Sequence, residues 1–320
     1  KPGINLNQKS WTVSSNPPQE SLDGLGDFGL QIGKLQSKLL LNRGITNPDA
    51  AQKYLNPKYE NLSDPFDLHD MDRASDFIIG GLNSGAHFGV CGDFDVDGLT
   101  AAAILVQSLQ SFGANVSTYI PNRDTEGHGF SSKAIDSLAA DGASMLITAD
   151  TGTTDVESVE YAKELGIRCL ITDHHLPAEQ LPSADAIVNP YLSENVGSPQ
   201  CGSGIAFKLA QAVGRRLRQA GANDALALAA LGTIADFAPL TGDNRIIVRE
   251  GLRMLSRTKH PGLNALLKLA WHKTGPTPPD TELVSYQIAP RINAPGRLGN
   301  PRISLDLLTC ELEAEAELIA

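Results

Sequence analysis

The sequence predicts an α/β protein: a mostly parallel sheet flanked by helices, with a helical N-terminal preface and a helical C-terminal segment. Three observations carry this. From Phe88 onward, short apolar runs alternate with amphipathic stretches of roughly a dozen residues, the texture of repeated strand-helix units. Hydrophobic residues make up 41% of the 320 and charged residues 20%, which supplies apolar side chains for a real core. No apolar run approaches the roughly 20 residues a membrane-spanning helix needs, and no basic-then-apolar signal pattern opens the chain.

The first 20 residues, ending after Asn16-Pro17-Pro18, lack sustained periodicity and read as an extended arm. Helical spacing then runs from Leu35 to Leu55. It breaks at Arg43-Gly44 and restarts behind Asn47-Pro48, because Asn caps a helix well and Pro fits its first position. A third helix is expected over Met71 to Leu82. The alternating region follows: strand Phe88 to Gly92 with helix Leu99 to Phe112, strand Asn115 to Ile120 with helix Ser131 to Ala140, and strand Ser144 to Ala149 with helix Asp155 to Leu165. A fourth strand is read at Ile167 to Thr172 and a short fifth at Ala186 to Val188. Helices are expected at Gly204 to Ala220, Asn223 to Ile234, Ile246 to Ser256 and Leu263 to Trp271, with a loop of three prolines at Lys273 to Asp280. The expected domains are an arm and preface at 1–85, an α/β domain at 86–245 and a helical segment at 246–320.

Cys91, Cys169, Cys201 and Cys310 are scattered, without the short spacings of zinc sites or redox pairs, so buried free thiols in a reducing, cytoplasmic compartment are expected. The chain starts at Lys1 and stops inside an Ala/Glu-rich helical pattern, which reads as a piece of a longer protein. With 26 basic against 37 acidic side chains the formal charge is −11, a poor balance for coating nucleic acid or anionic membrane by bulk attraction. Lys208, Arg215, Arg216 and Arg218 make one helix locally basic; a solvated face is the ordinary reading, DNA contact the alternative.

The aspartates collect at predicted strand ends. After the first strand stands Gly92-Asp93-Phe94-Asp95-Val96-Asp97-Gly98, after the third Asp150 in Ala149-Asp150-Thr151-Gly152, and after the fourth Asp173-His174-His175. A later helix ends in Ala235-Asp236. Each taken alone could be an ordinary turn or cap. An EF-hand loop fails at its twelfth position, where Ile104 replaces the required Glu. In an open parallel sheet the loops at the carboxyl ends converge, so these acids meet in one crevice. Clustered carboxylates raise one another's pKa and need compensating positive charge. Oxygen-rich ligation with imidazole and no thiolate suits Mn²⁺ or Mg²⁺, and two such ions about 4 Å apart would suit phosphoryl transfer.

In these segments the chain resembles the DHH phosphoesterase superfamily, whose signature triplet is Asp173-His174-His175 here. Within it, the chain resembles the RecJ family of bacterial single-strand-specific 5′→3′ DNA exonucleases. Further matching segments are Ile120 to Arg123, Glu126 to Gly129, Asn189-Pro190, Gly202 to Leu209, Leu231 to Leu240 with Gly242-Asp243-Asn244-Arg245, and Ala289 to Arg297. The resemblance implies that Asp95, Asp97, Asp150, His174 and Asp236 ligate two metal ions, Mn²⁺ with Mg²⁺ as alternative. Asp93 and His175 would stand close by, His175 contacting the scissile phosphate or protonating the leaving oxygen. It implies that water activated by the metals cleaves single-stranded DNA from its 5′ end, releasing 5′-mononucleotides in DNA repair and recombination. A single-strand-binding protein or a helicase are further candidate partners. Arg123, Arg291, Asn293 and Arg297 are candidates for holding phosphates, since guanidinium forks match phosphate geometry. His128 departs from the aromatic residue usual at its place in the family. Two alternatives remain at this stage: a related phosphoesterase acting on short oligonucleotides or small nucleotides, and a non-catalytic scaffold of the same fold, against which the filled ligand positions argue.

Overall fold

The computed structural model describes residues 33–194, 199–272 and 275–320; the arm read over the first 20 residues, and Lys273 and Thr274 of the proline loop, lie outside them. Two compact units divide at Lys58 and Tyr59. In the first, helices α1 (Lys34–Leu41) and α2 (Pro48–Leu55) flank a turn at Gly44, and the Asn47 side chain accepts the Ala50 N–H at 2.9 Å, as the Asn-Pro signal requires. Leu40 and Ala51 form its small core.

The second unit begins with α3 (Met71–Ser84), which ends at Gly85 in the left-handed conformation. Strand-helix units follow in chain order: β1 (His87–Gly92), α4 (Val96–Ser111), β2 (Asn115–Tyr119), a single turn α5 (Arg123–Glu126), α6 (Ser132–Ala140), β3 (Met145–Ala149), α7 (Val156–Glu164), β4 (Arg168–Thr172) and β5 (Ala186–Val188). The five strands form one parallel sheet in the order β2-β1-β3-β4-β5. Parallel strands are buried on both faces, and the side chains alternate between two cores. Phe88, Val90, Met145, Ile147 and Leu170 enter the larger core with α3, α4 and the later helices. Cys91, Leu146, Cys169 and Ile171 enter the smaller one with α6 and α7.

The helices α8 (Gly202–Leu217), α9 (Ala225–Ala235) and α10 (Gly242–Leu255) continue the larger core. α9, with the sequence ALALAALGTIA, has its first ten residues buried, because small side chains let neighbouring helices approach on every side. Then come α11 (Pro261–Ala270), α12 (Thr281–Leu283), a π-helical turn over Val284–Ile288, α13 (Ala289–Arg297), α14 (Arg302–Thr309) and α15 (Glu313–Ile319).

Helix starts differ from the sequence reading. α4 begins at Val96 rather than Leu99, α8 at Gly202 rather than Gly204, and α10 at Gly242 rather than Ile246. The first residues of α8 and α10 are glycine and polar, and in α4 Asp97-Gly98 interrupts the apolar spacing after Val96, so the periodicity becomes visible only later. Lys208 departs from the solvated-face reading. Its side chain is fully buried in α8 and its amine lies 2.7 Å from Asp243, while Arg216 does stay outside, paired with Asp72 and Asp76 over the Phe66 ring.

His260 caps α11, its ring accepting the Leu263 N–H at 3.3 Å. Burial pulls this imidazole below its ordinary 6.5, against a smaller opposing pull from Asp224. The unfolded chain therefore takes up the proton near 6.5 while the folded chain resists it, so this contribution to stability is complete above that pH and is lost as pH falls. Between about pH 7.5 and 5.5 the urea midpoint should fall more for wild type than for His260→Asn, which keeps a capping acceptor. Equal slopes would assign the loss to another group.

Candidate metal centre

β1, β3 and β4 each hand the chain to an aspartate whose N–H still bonds to the neighbouring strand. The Asp93 N–H donates to the Ala149 carbonyl at 3.1 Å, that of Asp150 to Thr172 at 3.0 Å, and that of Asp173 to Val188 at 3.1 Å. The sheet's ladder thus extends one step beyond the strands and fixes three acids side by side. β1 and β3 are neighbours whose chains continue to opposite sides, the switch point at which an open α/β sheet leaves its crevice. Asp150 sits there at φ 67, a left-handed conformation that costs energy for any residue but glycine, although Asp tolerates it better than most.

The other acids come from helix ends. Asp95 caps α4 by accepting the Gly98 N–H at 3.0 Å, which places Asp97 in the first turn. Asp97 is buried, and its oxygens accept the N–H groups of Gly202 (2.7 Å) and Ser203 (2.9 Å) at the start of α8, where the helix dipole favours negative charge. Asp236 is the C-cap of α9. Two glycines make room: a Cβ on Gly202 would fall 2.5 Å from the Asp150 Cβ, and one on Gly232 would fall 2.5 Å from Asp97 Oδ1.

His174 Nε2 stands 3.0 Å from Asp150 Oδ1 and 3.7 Å from Asp97 Oδ2. Asp173 does not face the cluster. Its Oδ1 accepts the N–H groups of His174 (2.7 Å) and His175 (3.1 Å) and lies 2.7 Å from His175 Nδ1, and its Oδ2 accepts the Thr153 N–H. Burial would raise Asp173, but these bonds, led by that of His175, hold it below the usual carboxylate range. The same hydrogen bond carries the His175 imidazole up to about 9.

Ligand atoms of Asp150, His174 and His175, of Asp97, Cys201 and Asp236, and of Asp93, Asp95 and Asp150 form three groups, each within 4.8 Å. The electrostatics fit a cation. Burial, then Asp97, Asp95 and Asp173, push Asp150 well above its ordinary value, and burial and Asp97 push Asp236 up to about 6. Asp93 Oδ1 and Asp150 Oδ1 are buried without a hydrogen bond. His174 Nε2 approaches Asp150 Oδ1 to 3.0 Å without forming a hydrogen bond to it, which leaves both atoms available to a cation. The donors are carboxylate oxygens and imidazole nitrogens. Cys201 was not anticipated here; burial pushes its thiol well up and it bonds to Ser203, so it contributes a neutral group rather than a thiolate. Such a set suits a hard divalent cation.

Among the residues expected to hold phosphate, Arg123 lies over the Phe94 ring at 5.3 Å. The Asn122 side chain donates to the Gly299 carbonyl at 2.8 Å, tying this segment to the loop after α13. α13 carries Arg291, Asn293 and Arg297 and passes the acidic turn at Gly296, whose Cβ would lie 3.5 Å from the Phe94 carbonyl oxygen. Arg291 donates to the Gln287 carbonyl one turn back. No hydrogen bond or ion pair among the described residues joins Arg123, Asn293 or Arg297 to the acids. His128 stacks on Phe94 with ring centres 4.4 Å apart, and its Nδ1 lies 3.3 Å from Asp93 Oδ2.

The N-terminal domain of the DHH family matches residues 87–233. The single-stranded-DNA-specific exonuclease RecJ of Bacillus subtilis is 37% identical over 97% of this chain and 39% of its own length; RecJ of Escherichia coli is 32% identical over 94% of the chain and 54% of its own length. The chain therefore spans about half, or less, of these relatives. The crystal structure of Thermus thermophilus RecJ in complex with Mn²⁺ superposes with a TM-score of 0.83 at 31% identity, covering 97% of this chain and 44% of that one. An exonuclease RecJ bound to manganese gives a TM-score of 0.73 at 36% identity, covering 79% of this chain and 64% of that one. With the family's N-terminal domain matched over residues 87–233 and the RecJ exonucleases matched over nearly the whole sequence, the chain belongs to the DHH family and is similar there to the RecJ exonucleases.

Proposed function

We propose that the protein is a divalent-metal-dependent 5′→3′ exonuclease that hydrolyses single-stranded DNA to 5′-mononucleotides, acting in DNA repair and recombination. The observation that carries this reading is the convergence of two strand-end acids, Asp93 and Asp150, with three helix-end acids, Asp95, Asp97 and Asp236, and His174, around the buried, unpartnered Oδ1 atoms of Asp93 and Asp150. The similarity to RecJ exonucleases, two of them solved with manganese, supports the substrate and the metal.

In this reading Asp95, Asp97, Asp150, His174 and Asp236 would hold two ions, Mn²⁺ or Mg²⁺, with Asp93 beside them; Asp150 belongs to two of the three ligand groups. Bound there, the metals would lower the pKa of a water and neutralise charge on the phosphate. The protein's own work is positioning. The first turn of α8 holds the Asp97 oxygens, and the sheet holds the Asp150 backbone. The Asp173 hydrogen bond raises the His175 imidazole, and with Nδ1 committed to Asp173 its other nitrogen is the one that would donate to the phosphate or to the departing 3′-oxygen. Arg123, Arg291, Asn293 and Arg297 lie on the segments beside the acidic turn and hold the strand's phosphates. The four buried free cysteines accord with a reducing cytoplasm.

End-labelled single-stranded DNA, duplex DNA and RNA, each incubated with Mn²⁺, test the assignment. Mononucleotides should appear from the 5′ end of single-stranded DNA alone; degradation from the 3′ end, or turnover confined to dinucleotides, would overturn it.

A further inference from the structure

We propose that the Phe237 ring carries a nucleobase of the substrate strand, stacked beside the phosphodiester that the metal centre addresses. The inference rests on the single-stranded DNA reading above. α9 closes in a paired turn: the Phe237 N–H donates to the Ile234 carbonyl at 3.3 Å and the Ala238 N–H to that of Thr233 at 3.2 Å. This closure needs a left-handed residue directly after the C-cap, the place where glycine is usual. Phe237 occupies it at φ 57, so the backbone is strained where glycine would not be.

Packing does not explain the residue either. The ring is 87% exposed, the most exposed aromatic side chain among the described residues. A residue that the backbone disfavours and the core does not use is placed for something outside the fold. Its neighbour says what. Asp236 precedes it directly, shares a ligand group with Asp97, and feels the charges of both His174 and His175. Leu176, directly after His175, stands 72% exposed, so the segments leaving the metal centre at Asp236 and at His175 each continue into an exposed apolar side chain. An enzyme that removes nucleotides of any sequence cannot depend on base edges; an aromatic face accepts every base, because each has a π surface.

Three measurements on the protein and its Phe237→Gly and Phe237→Trp variants test this: anisotropy of a 5′-phosphorylated fluorescent oligothymidylate with Ca²⁺ in place of Mn²⁺, a Mn²⁺ titration, and the thermal midpoint. Phe237→Gly should bind the strand about 10-fold more weakly, and Phe237→Trp should restore binding. Mn²⁺ affinity should not change, and the glycine variant should unfold at the same or a higher temperature, since the strained position is relieved. A strand whose first two 5′ positions are abasic should bind wild type and Phe237→Gly equally. Unchanged binding of the intact strand, an equal loss on the abasic strand, or a lower midpoint showing that the ring packs within the protein, would each overturn the proposal. If wild type neither binds nor cleaves single-stranded DNA, the functional reading fails and this inference with it; if it cleaves and Phe237→Gly matches it, only this inference fails.

Discussion

Asp150→Asn should reduce Mn²⁺-dependent cleavage by on the order of 10³-fold or more, because Asp150 belongs to two of the three candidate ligand groups and preorganised charge is the main catalytic contribution open to this site. The same substitution should make the metal-free protein more stable. Asp150 is buried among Asp95, Asp97 and Asp173, and its pKa lies well above the ordinary 3.8. An acid raised on folding stabilises the protein while protonated, at low pH, and that stability is lost as pH rises from the unfolded value toward the folded one. Near neutral pH the metal-free protein therefore bears the cost of burying an acid that is ionised in the unfolded chain, and the amide removes that cost. Asn is the appropriate replacement, since it tolerates the left-handed backbone at φ 67 better than Ala does. In chelator, the unfolding midpoint of Asp150→Asn should exceed that of wild type and vary less between about pH 4 and 7. Saturating Mn²⁺ should reverse the order, because a ligand at about 100 times its Kd adds about 2.7 kcal/mol only to the protein that binds it. A variant that keeps metal stabilisation and turnover would sink the two-metal reading.

Much of this site was legible beforehand, for a physical reason. Strand ends show in sequence as the last apolar residue before a polar one, and in a parallel sheet every such end faces the same crevice. Asp93, Asp150 and Asp173 could therefore be set side by side from Val90, Ile147 and Ile171 alone. The supports of the site were not legible. Asp97 is held by Gly202 and Ser203, which lie 105 and 106 residues away and look locally like the loop before a helix. Gly232, surrounded by alanines and leucines, gives no sign that a Cβ there would strike Asp97. Asp173 stands in the triplet beside two histidines, yet its carboxylate turns back to Thr153 and His175, a direction that depends on the loop after β3. Phe237 was invisible as a left-handed residue because the usual marker of that position, glycine, is missing.

Lys208 shows how a charge pattern misleads and what it conceals. Read along α8 it joins Arg215 and Arg216 in a basic stripe; in the fold its side chain has no exposed surface. Its amine donates to the Ser63 carbonyl (2.6 Å) and hydroxyl (3.0 Å) and lies 2.7 Å from Asp243, which in turn accepts the Ser63 N–H at 3.0 Å. Burial pulls the amine below its ordinary value. Burial would likewise raise Asp243, but the ammonium and Ser63 outweigh it and hold that acid below the usual range. Lys208→Met should cost about 3–5 kcal/mol, because it removes the partner of a buried carboxylate and leaves the charge unpaired. Adding Asp243→Asn should recover most of that loss, since the amide keeps an acceptor for the Ser63 N–H and carries no charge. The sign of the pH dependence follows from Asp243. As a depressed acid, it contributes fully above its ordinary 3.8 and loses this contribution as pH falls through the folded value, so the gap between wild type and Lys208→Met should close in strong acid. Urea unfolding of the two single variants and the double variant gives the coupling directly. A Lys208→Met loss below about 1 kcal/mol, within the range of exposed pairs, would mean that water reaches the pair and that the burial of Lys208 does not persist in solution.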